Sequence, residues 1–191
     1  MKLIDLIKAN RSYRGFKQDV RPTCAQLREF VECAEFSASA GNRQPLKFFL
    51  SCGEATNEAI LEQVAFGALL KPERVLPYKG KEPTAYIVIC VDSTISQNAA
   101  VDVGIAAQSI LLAATEAGFG GCMIGAFRPE VKQALNLSEN LNPALIIALG
   151  VPDEEIVLEY AENGVKYYRD EAEVHHVPKR SLEELIIKEQ I

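Results

Sequence analysis

The chain has 191 residues, nearly half of them apolar and about a quarter charged, which suits one globular domain with a full-sized core. Twenty basic residues against twenty-six acidic ones leave a net charge of −6. That balance excludes nucleic acid as the main partner, because a phosphate backbone demands a broad basic face, but it leaves room for a local cluster that holds a small anion.

In chain order, Leu3, Ile4, Leu6 and Ile7 have the spacing of a short helix ending near Asn10. This opening, MKLIDLIKAN, is too short and too charged for a secretory signal, so a cytoplasmic location is the default expectation. "RSYRGF" follows, placing Arg11 and Arg14 around Ser12. Thr23 and Gln26 form a T-x-x-Q capping box ahead of Leu27, Phe30, Val31 and Ala34, which predicts a second helix. It should dissolve in the small residues Ser37–Gly41, with Pro45 confirming the break. KFFLSC reads as a strand and the stretch from Glu54 to Phe66 as a helix.

LLKPERVLPYKGKEP reads as a loop, and TAYIVICVD as a buried strand. Residues 97–117 make the longest helical candidate, nearly apolar all round. Asp102, Gln108, Ser109 and Glu116 interrupt it, so it holds no apolar span of about twenty residues, and burial inside the protein or a dimer is expected. GGCMIGAF is a short strand or turn, RPEVKQALNL a helix with Pro129 in its first turn, and PALIIALGVP a buried strand. Ser181 and Glu184 form a capping box that opens a last helix. No internal repeat or linker is visible, and the class is α/β or α+β with one central sheet.

Hydrolytic chemistry finds little support. There is no G-x-S-x-G elbow, and the two histidines, His175 and His176, are adjacent on a polar segment that reads as a solvated loop. The five cysteines are scattered without a C-x-x-C pair, which favours buried, reduced thiols over disulfides or zinc. In AGFGGCMIG, Gly118 and Gly120 follow a helix and Met123 stands where a third glycine would be needed, so a dinucleotide fingerprint fails. Gly118 suits a helix C-cap, whereas Gly125 lies past a strand-like stretch where backbone N–H groups could face a ligand.

Three features converge on an anionic, planar ligand. Asn42 and Gln44 offer carboxamides that can pair with the edge of a heterocycle. Arg11, Ser12 and Arg14 suit phosphate geometry, and Lys179 with Arg180 directly precedes a helix N-terminus, where anions are favoured. Each basic pair taken alone reads as a solvated surface pair; their joint presence with the amide loop and the glycine turn raises the reading.

These elements, in this order, resemble the FMN-dependent nitroreductase family over nearly the whole chain. RSYRGF is similar to its phosphate-binding R-S-x-R-x-F segment and SAGNRQP to its S-x-N-x-Q-P loop at the flavin ring. DVGIAAQSILLAATEAGFGGCMIGAF resembles its D-x-G-x-A-x-Q helix and glycine turn, and KYYRDEAEVHHVPKRSLEEL its C-terminal basic segment. The resemblance implies an α+β three-layer sandwich spanning residues 1–191 as a single FMN-binding domain, its central mixed or antiparallel sheet flanked by helices. It also implies an intertwined homodimer with FMN at the subunit interface. Ala100, Gly104 and Ala107 would then let a partner backbone approach the 97–117 helix.

Carried over by position, Arg11, Ser12 and Arg14 would hold the FMN phosphate with Lys179 and Arg180. Asn42 and Gln44 would contact the isoalloxazine and ribityl portions, and backbone N–H groups near Gly125 and Ala126 would face flavin N5 and O4. The expected function is hydride transfer from NADH or NADPH through FMN to a nitroaromatic, quinone or similar small-molecule acceptor. It would follow a ping-pong scheme in which flavin N5 carries the chemistry and no side chain acts as acid or base. The alternatives are a specialised flavin reaction, such as reductive dehalogenation or oxidation of an activated carbon, and a non-catalytic dimer that stores or senses FMN. Nucleic acid, membrane and metal are not expected. Two departures stand out: Asn10 occupies a position that many relatives fill with a further arginine, and little room exists between Phe66 and Pro83 for a lid. The substrate cavity is therefore expected to be open or shaped by LLKPERVLPYKG.

Overall fold

A computed structural model describes residues 2–67, 70, 75–162 and 164–190. They divide into two compact units, one comprising residues 1–66 and 76–153, the other residues 67–75 and 154–191. Part of the loop expected over LLKPERVLPYKG, residues 69 and 71–74, lies outside the described residues.

The first unit is built on a five-stranded sheet. Its strands are β1 (Phe16–Lys17), β2 (Leu46–Ser51), β3 (Ala85–Asp92), β4 (Gly120–Ile124) and β5 (Leu141–Pro152). The order is β1-β5-β3-β2, with β4 also on β5, and every one of these pairings is antiparallel. The period-2 pattern places Ile87 and Ile89 of β3 on one face with Ile147 and Leu149 of β5. The helices α2 (Cys24–Glu35) and α4 (Ala100–Glu116) cover that face, bringing Leu27, Phe30, Val103, Ala107, Ile110 and Leu111 into one core. The helices α3 (Glu54–Leu61) and α5 (Val131–Ala134) pack on β3 and β5, completing an α+β layered arrangement. Both strands bury their two faces, which is why they read as continuous apolar runs.

The local signals held at the helix ends. Thr23 Oγ1 accepts the Gln26 N–H at 3.2 Å while Gln26 Oε1 accepts the Thr23 N–H at 2.9 Å, the reciprocal box that starts α2. Helix α4 stops at Gly118, whose φ of +84° is left-handed. Phe119 N–H reaches back to Ala114 O at 2.8 Å and Gly118 N–H to Thr115 O at 3.1 Å, the double closure of a Schellman motif. Helix α3 ends at Leu61, short of the expected Phe66, because Val64 leaves to bridge Phe127. The small residues on α4 do not share one outward face: Ala107 is fully buried in the core, while Ala100, Val101, Gly104 and Ile105 are exposed.

The cysteines depart from expectation. Cys24, at the start of α2, and Cys52, just after β2, are joined in a disulfide with their Cα atoms 5.7 Å apart. Antiparallel return of the chain through β2 brings together two residues that sequence spacing keeps 28 apart. Cys33 is exposed, whereas Cys90 and Cys122 are buried thiols as expected. Burial pushes the Cys90 thiol up to about 11.

The second unit contains a three-stranded sheet of β6 (Ile156–Tyr160), β7 (Tyr168–Arg169) and β8 (His175–Lys179), in the order β6-β8-β7. Strand β6 runs parallel to β8 and β7 antiparallel to it. The histidines therefore lie on a strand and not on a solvated loop. His175 is buried with its ring 5.2 Å from that of Tyr167, and His176 stacks on Tyr168 at 4.7 Å. The last helix, α6, is a single turn, Leu182–Leu185. No helix among the described residues is long and apolar enough to cross a membrane.

Candidate functional site

The N-terminal basic segment is anchored at both ends. Helix α1 (Leu3–Ala9) closes at Asn10, whose side chain is buried. Beyond it Ser12 forms a parallel bridge to Gly121, and Tyr13 N–H donates to Gly121 O at 3.0 Å. Gly120 permits this approach, since a Cβ there would stand 2.5 Å from the Tyr13 ring. The fold thus brings RSYRGF against the strand of the glycine turn, two motifs more than a hundred residues apart in sequence.

Within that segment Arg11 Nη2 donates to Ile7 O at 2.7 Å, and Arg14 Nη1 donates to Ser12 O at 2.9 Å. Both contacts use neutral carbonyls. Arg14 is 9% exposed, and Arg11 Nε is buried without a hydrogen-bond partner among the described residues. Burial lowers the Arg11 pKa from its usual value, with the charge of Tyr13 acting in the opposite direction. A half-buried guanidinium with no carboxylate among the described residues to neutralise it is suited to an exogenous anion. Ser12 stays exposed beside it.

The amide loop is a second preorganised element. A 3₁₀ turn at Ala40–Asn42 follows α2, and Gly41, Asn42 and Gln44 all have positive φ, at 59°, 53° and 50°. Gln44 N–H donates to Ser39 Oγ at 3.0 Å, and Gln44 Nε2 donates to Asn42 Oδ1 at 2.9 Å, so the two carboxamides are held as a pair. Both side chains are exposed. Ala40 N–H donates to Oδ1 of Asp102 on α4 at 2.8 Å. A cavity of about 310 Å³ opens beside the loop, lined by Ser39, Gln44, Pro45, Phe48, Asp102 and Ala106 among others.

Gly125 and Ala126 follow β4 and are exposed, and among the described residues nothing beyond its chain neighbours lies within 4 Å of where a Gly125 Cβ would stand. Ala126 O accepts Ala65 N–H at 2.9 Å, fixing the backbone immediately beyond. The turn therefore presents open main chain at the end of a buried strand.

Lys179 ends β8, and Arg180 forms an exposed pair with Glu184 at 3.7 Å. The helix N-terminus next to them is closed in part by its own capping box. Glu184 Oε2 already accepts the Ser181 N–H at 3.0 Å, Ser181 Oγ accepts the Glu184 N–H at 3.3 Å, and α6 has only four residues. Sequence reasoning also missed what Asp102 and Ser109 do. Ser109 Oγ lies 2.7 Å from Ser37 Oγ, so polar residues of an otherwise apolar helix meet the amide loop and its approach. Their isolation in that apolar run was the available signal.

Residues 7–151 match the model of the nitroreductase family. The chain belongs to the nitroreductase family. A Methanothermobacter thermautotrophicus relative, provisionally named an NADH dehydrogenase/NAD(P)H nitroreductase, is 27% identical over 162 residues, covering 81% of this chain and 79% of the relative. Among solved structures, an NADPH:FMN oxidoreductase from Vibrio harveyi, determined with NAD+, has a TM-score of 0.65 at 23% identity, covering 98% of this chain and 77% of that one. A nitroreductase family protein from Streptococcus pneumoniae TIGR4 has a TM-score of 0.66 at 19% identity, covering 84% and 95%. These structures share the nitroreductase α+β fold with this chain, including the layered sheet expected from the resemblance.

Proposed function

We propose that the chain is a flavoprotein oxidoreductase that binds FMN and takes reducing equivalents from NADH or NADPH. The observation that carries this reading is the half-buried Arg11, without a carboxylate partner among the described residues, beside buried Arg14 on a segment bridged to the strand of the glycine turn. Family membership and the names of relatives point the same way: one is an NADPH:FMN oxidoreductase and another an NAD(P)H nitroreductase.

When bound, FMN would supply the hydride chemistry between nicotinamide and acceptor. The chain's own residues bind and orient it. Arg11, Ser12 and Arg14 hold the phosphate, two cations and a hydroxyl matching its oxygens. Asn42 and Gln44 pair with the ring's donor and acceptor edge and with the ribityl chain, held ready by their mutual hydrogen bond. The backbone at Gly125 and Ala126 lies open toward the ring, where N–H donors would favour negative charge. Lys179 and Arg180 are assigned to the phosphate on the resemblance of their segment alone.

The acceptor is a nitroaromatic, a quinone or a similar small molecule that shares one open face with the nicotinamide, which makes the kinetics ping-pong. The protein works as a homodimer with FMN at the subunit interface. Exposed Val101, Gly104 and Ile105 on α4 give the apolar, small-residue surface that such an interface needs.

Purified protein saturated with FMN should be yellow and should bleach when NADH or NADPH is added without air. Protein that takes up no FMN would overturn the reading, and a yellow protein that neither nicotinamide bleaches would point to storage or sensing. Arg14→Ala should weaken FMN binding by about 10- to 100-fold, as expected for losing a charge-assisted hydrogen bond. Unchanged affinity would remove the phosphate assignment.

A further inference from the structure

We infer that Asp102 is the positioning residue of the amide loop, setting Asn42 and Gln44 for the flavin ring; the inference rests on the FMN reading of the site. Its function is distinct from that of the groups assigned above, because it acts through the backbone of Ala40.

The loop is costly to hold. Asn42 and Gln44 both sit in the left-handed region, a strained conformation for residues other than glycine. Such a conformation persists only where its surroundings over-determine it. Within the loop Asn42 N–H donates to Ser39 O at 2.9 Å and Arg43 N–H to Ala40 O at 3.3 Å, bonds that tighten the turn but do not tie it to the body of the unit. Two contacts with α4 do so at its start, while past its end Pro45 O accepts the Asp92 N–H at 2.8 Å. Ser109 meets Ser37 at the loop's approach, and Asp102 Oδ1 takes the Ala40 N–H at the first residue of the turn.

Asp102 is 4% exposed, on a helix whose buried residues are otherwise Val103, Ala106, Ala107, Ile110, Leu111 and Ala114. Burying a carboxylate costs more than one neutral hydrogen bond returns, so fold stability alone is a poor account of it. Its acceptor is aimed at the one turn that presents the paired carboxamides, and its side chain lines the 310 Å³ cavity together with Gln44. Helix α4 is held by the core, so Asp102 transmits that rigidity to an exposed loop. With the hook in place, the carboxamides are presented in one arrangement before the ring arrives, and binding does not have to order them.

The test is a double-mutant cycle on the FMN-binding protein, read by FMN titration, by the visible absorption band of bound FMN and by the melting temperature of the FMN-free protein. Asp102→Ala deletes the acceptor. Ala40→Pro deletes the donor at a first-turn position, after a Ser39 whose φ of −131° and ψ of 139° already suit a following proline. Each should raise the FMN Kd about tenfold and shift the band, and the double variant should be no worse than either single one. Asp102→Asn, which keeps an acceptor, should return to within about threefold of wild type. Ile110→Val, a core change on the same helix, should lower the melting temperature without altering Kd or band. Wild-type protein that binds no FMN would overturn the site reading and this inference with it. FMN binding by wild type with Kd and band unchanged in Asp102→Ala or Ala40→Pro would overturn the positioning role alone. So would an Ile110→Val variant that loses as much affinity.

Discussion

The two sheets of this protein are held together by different forces. In the five-stranded sheet, residues 85–90 of β3 and 146–150 of β5 are apolar or neutral and almost fully buried, and their cohesion is a matter of burial and packing. In the three-stranded sheet of the second unit, charge does much of this. Arg169 and Glu154 form a buried ion pair with side chains 3% and 5% exposed, and Glu173 lies 3.7 Å from the same guanidinium. His176 lies between two carboxylates, 3.1 Å from Glu159 and 3.3 Å from Asp170, with Tyr168 stacked on its ring. A core of the first kind ignores pH, whereas a sheet of the second kind responds to it.

The comparison can be broken most forcefully at Ile147, which is fully buried between β3 and β4. Ile147→Ala should cost about 4 kcal/mol in urea unfolding, through lost burial and the cavity left behind, and the cost should be the same at pH 6 and pH 8. A strongly pH-dependent cost would contradict the assignment. Next in size is Arg169→Ala, which leaves the Glu154 carboxylate buried without its arginine and should cost about 3 kcal/mol. Hydrogen exchange should place that loss in residues 154–160 and 168–179; uniform loss over both units would show that the pair does not act locally.

The smallest expected effect is the pH response of His176. Hydrogen bonds to Glu159 and then to Asp170 raise its pKa above the usual 6.5, against a smaller opposing effect of desolvation. A raised folded-state value means the stabilisation is complete below about pH 6.5 and is lost as pH rises through the folded-state value. Desolvation pushes the Asp170 pKa up, but its bonds to His176, Val174 and Ala172 and the charge of His176 together hold it below the usual carboxylate value, so its contribution disappears only in acid. Exchange protection in β6 and β8 should therefore fall as pH rises above about 6.5 and through the folded-state value of His176. His176→Gln should flatten that profile, and an unchanged profile would remove the histidine from the account.

Those histidines also show where the sequence was hard to read. HHVPK holds a proline and two polar rings, a pattern that resembles a loop, yet it forms the central strand of its sheet because β6 and β7 supply partners on both sides. The buried Arg169–Glu154 pair was invisible for the same reason: charges fifteen residues apart look solvated until a sheet encloses them. The Cys24–Cys52 disulfide likewise depends on where β2 ends relative to the start of α2. By contrast, the capping boxes at Thr23 and Ser181 and the helix stop at Gly118 were legible because each is satisfied within a few residues. In the candidate site the residue types could be read from sequence, Arg11, Ser12 and Arg14 in one motif and Asn42 with Gln44 in another. The hook from Asp102 could not, since it joins residues 62 apart.

The amino-acid sequence by itself determined most of the elements of the first unit, the order of its motifs and, through them, the family. These follow from local periodicity, caps and short spacings, which the chain carries wherever it is folded. Tertiary structure alone decided that RSYRGF bridges the glycine strand, that Arg11 is half-buried without a carboxylate partner among the described residues, and that a buried aspartate grips the amide loop. Burial and long-range pairing create those properties, and neither exists until distant segments pack together.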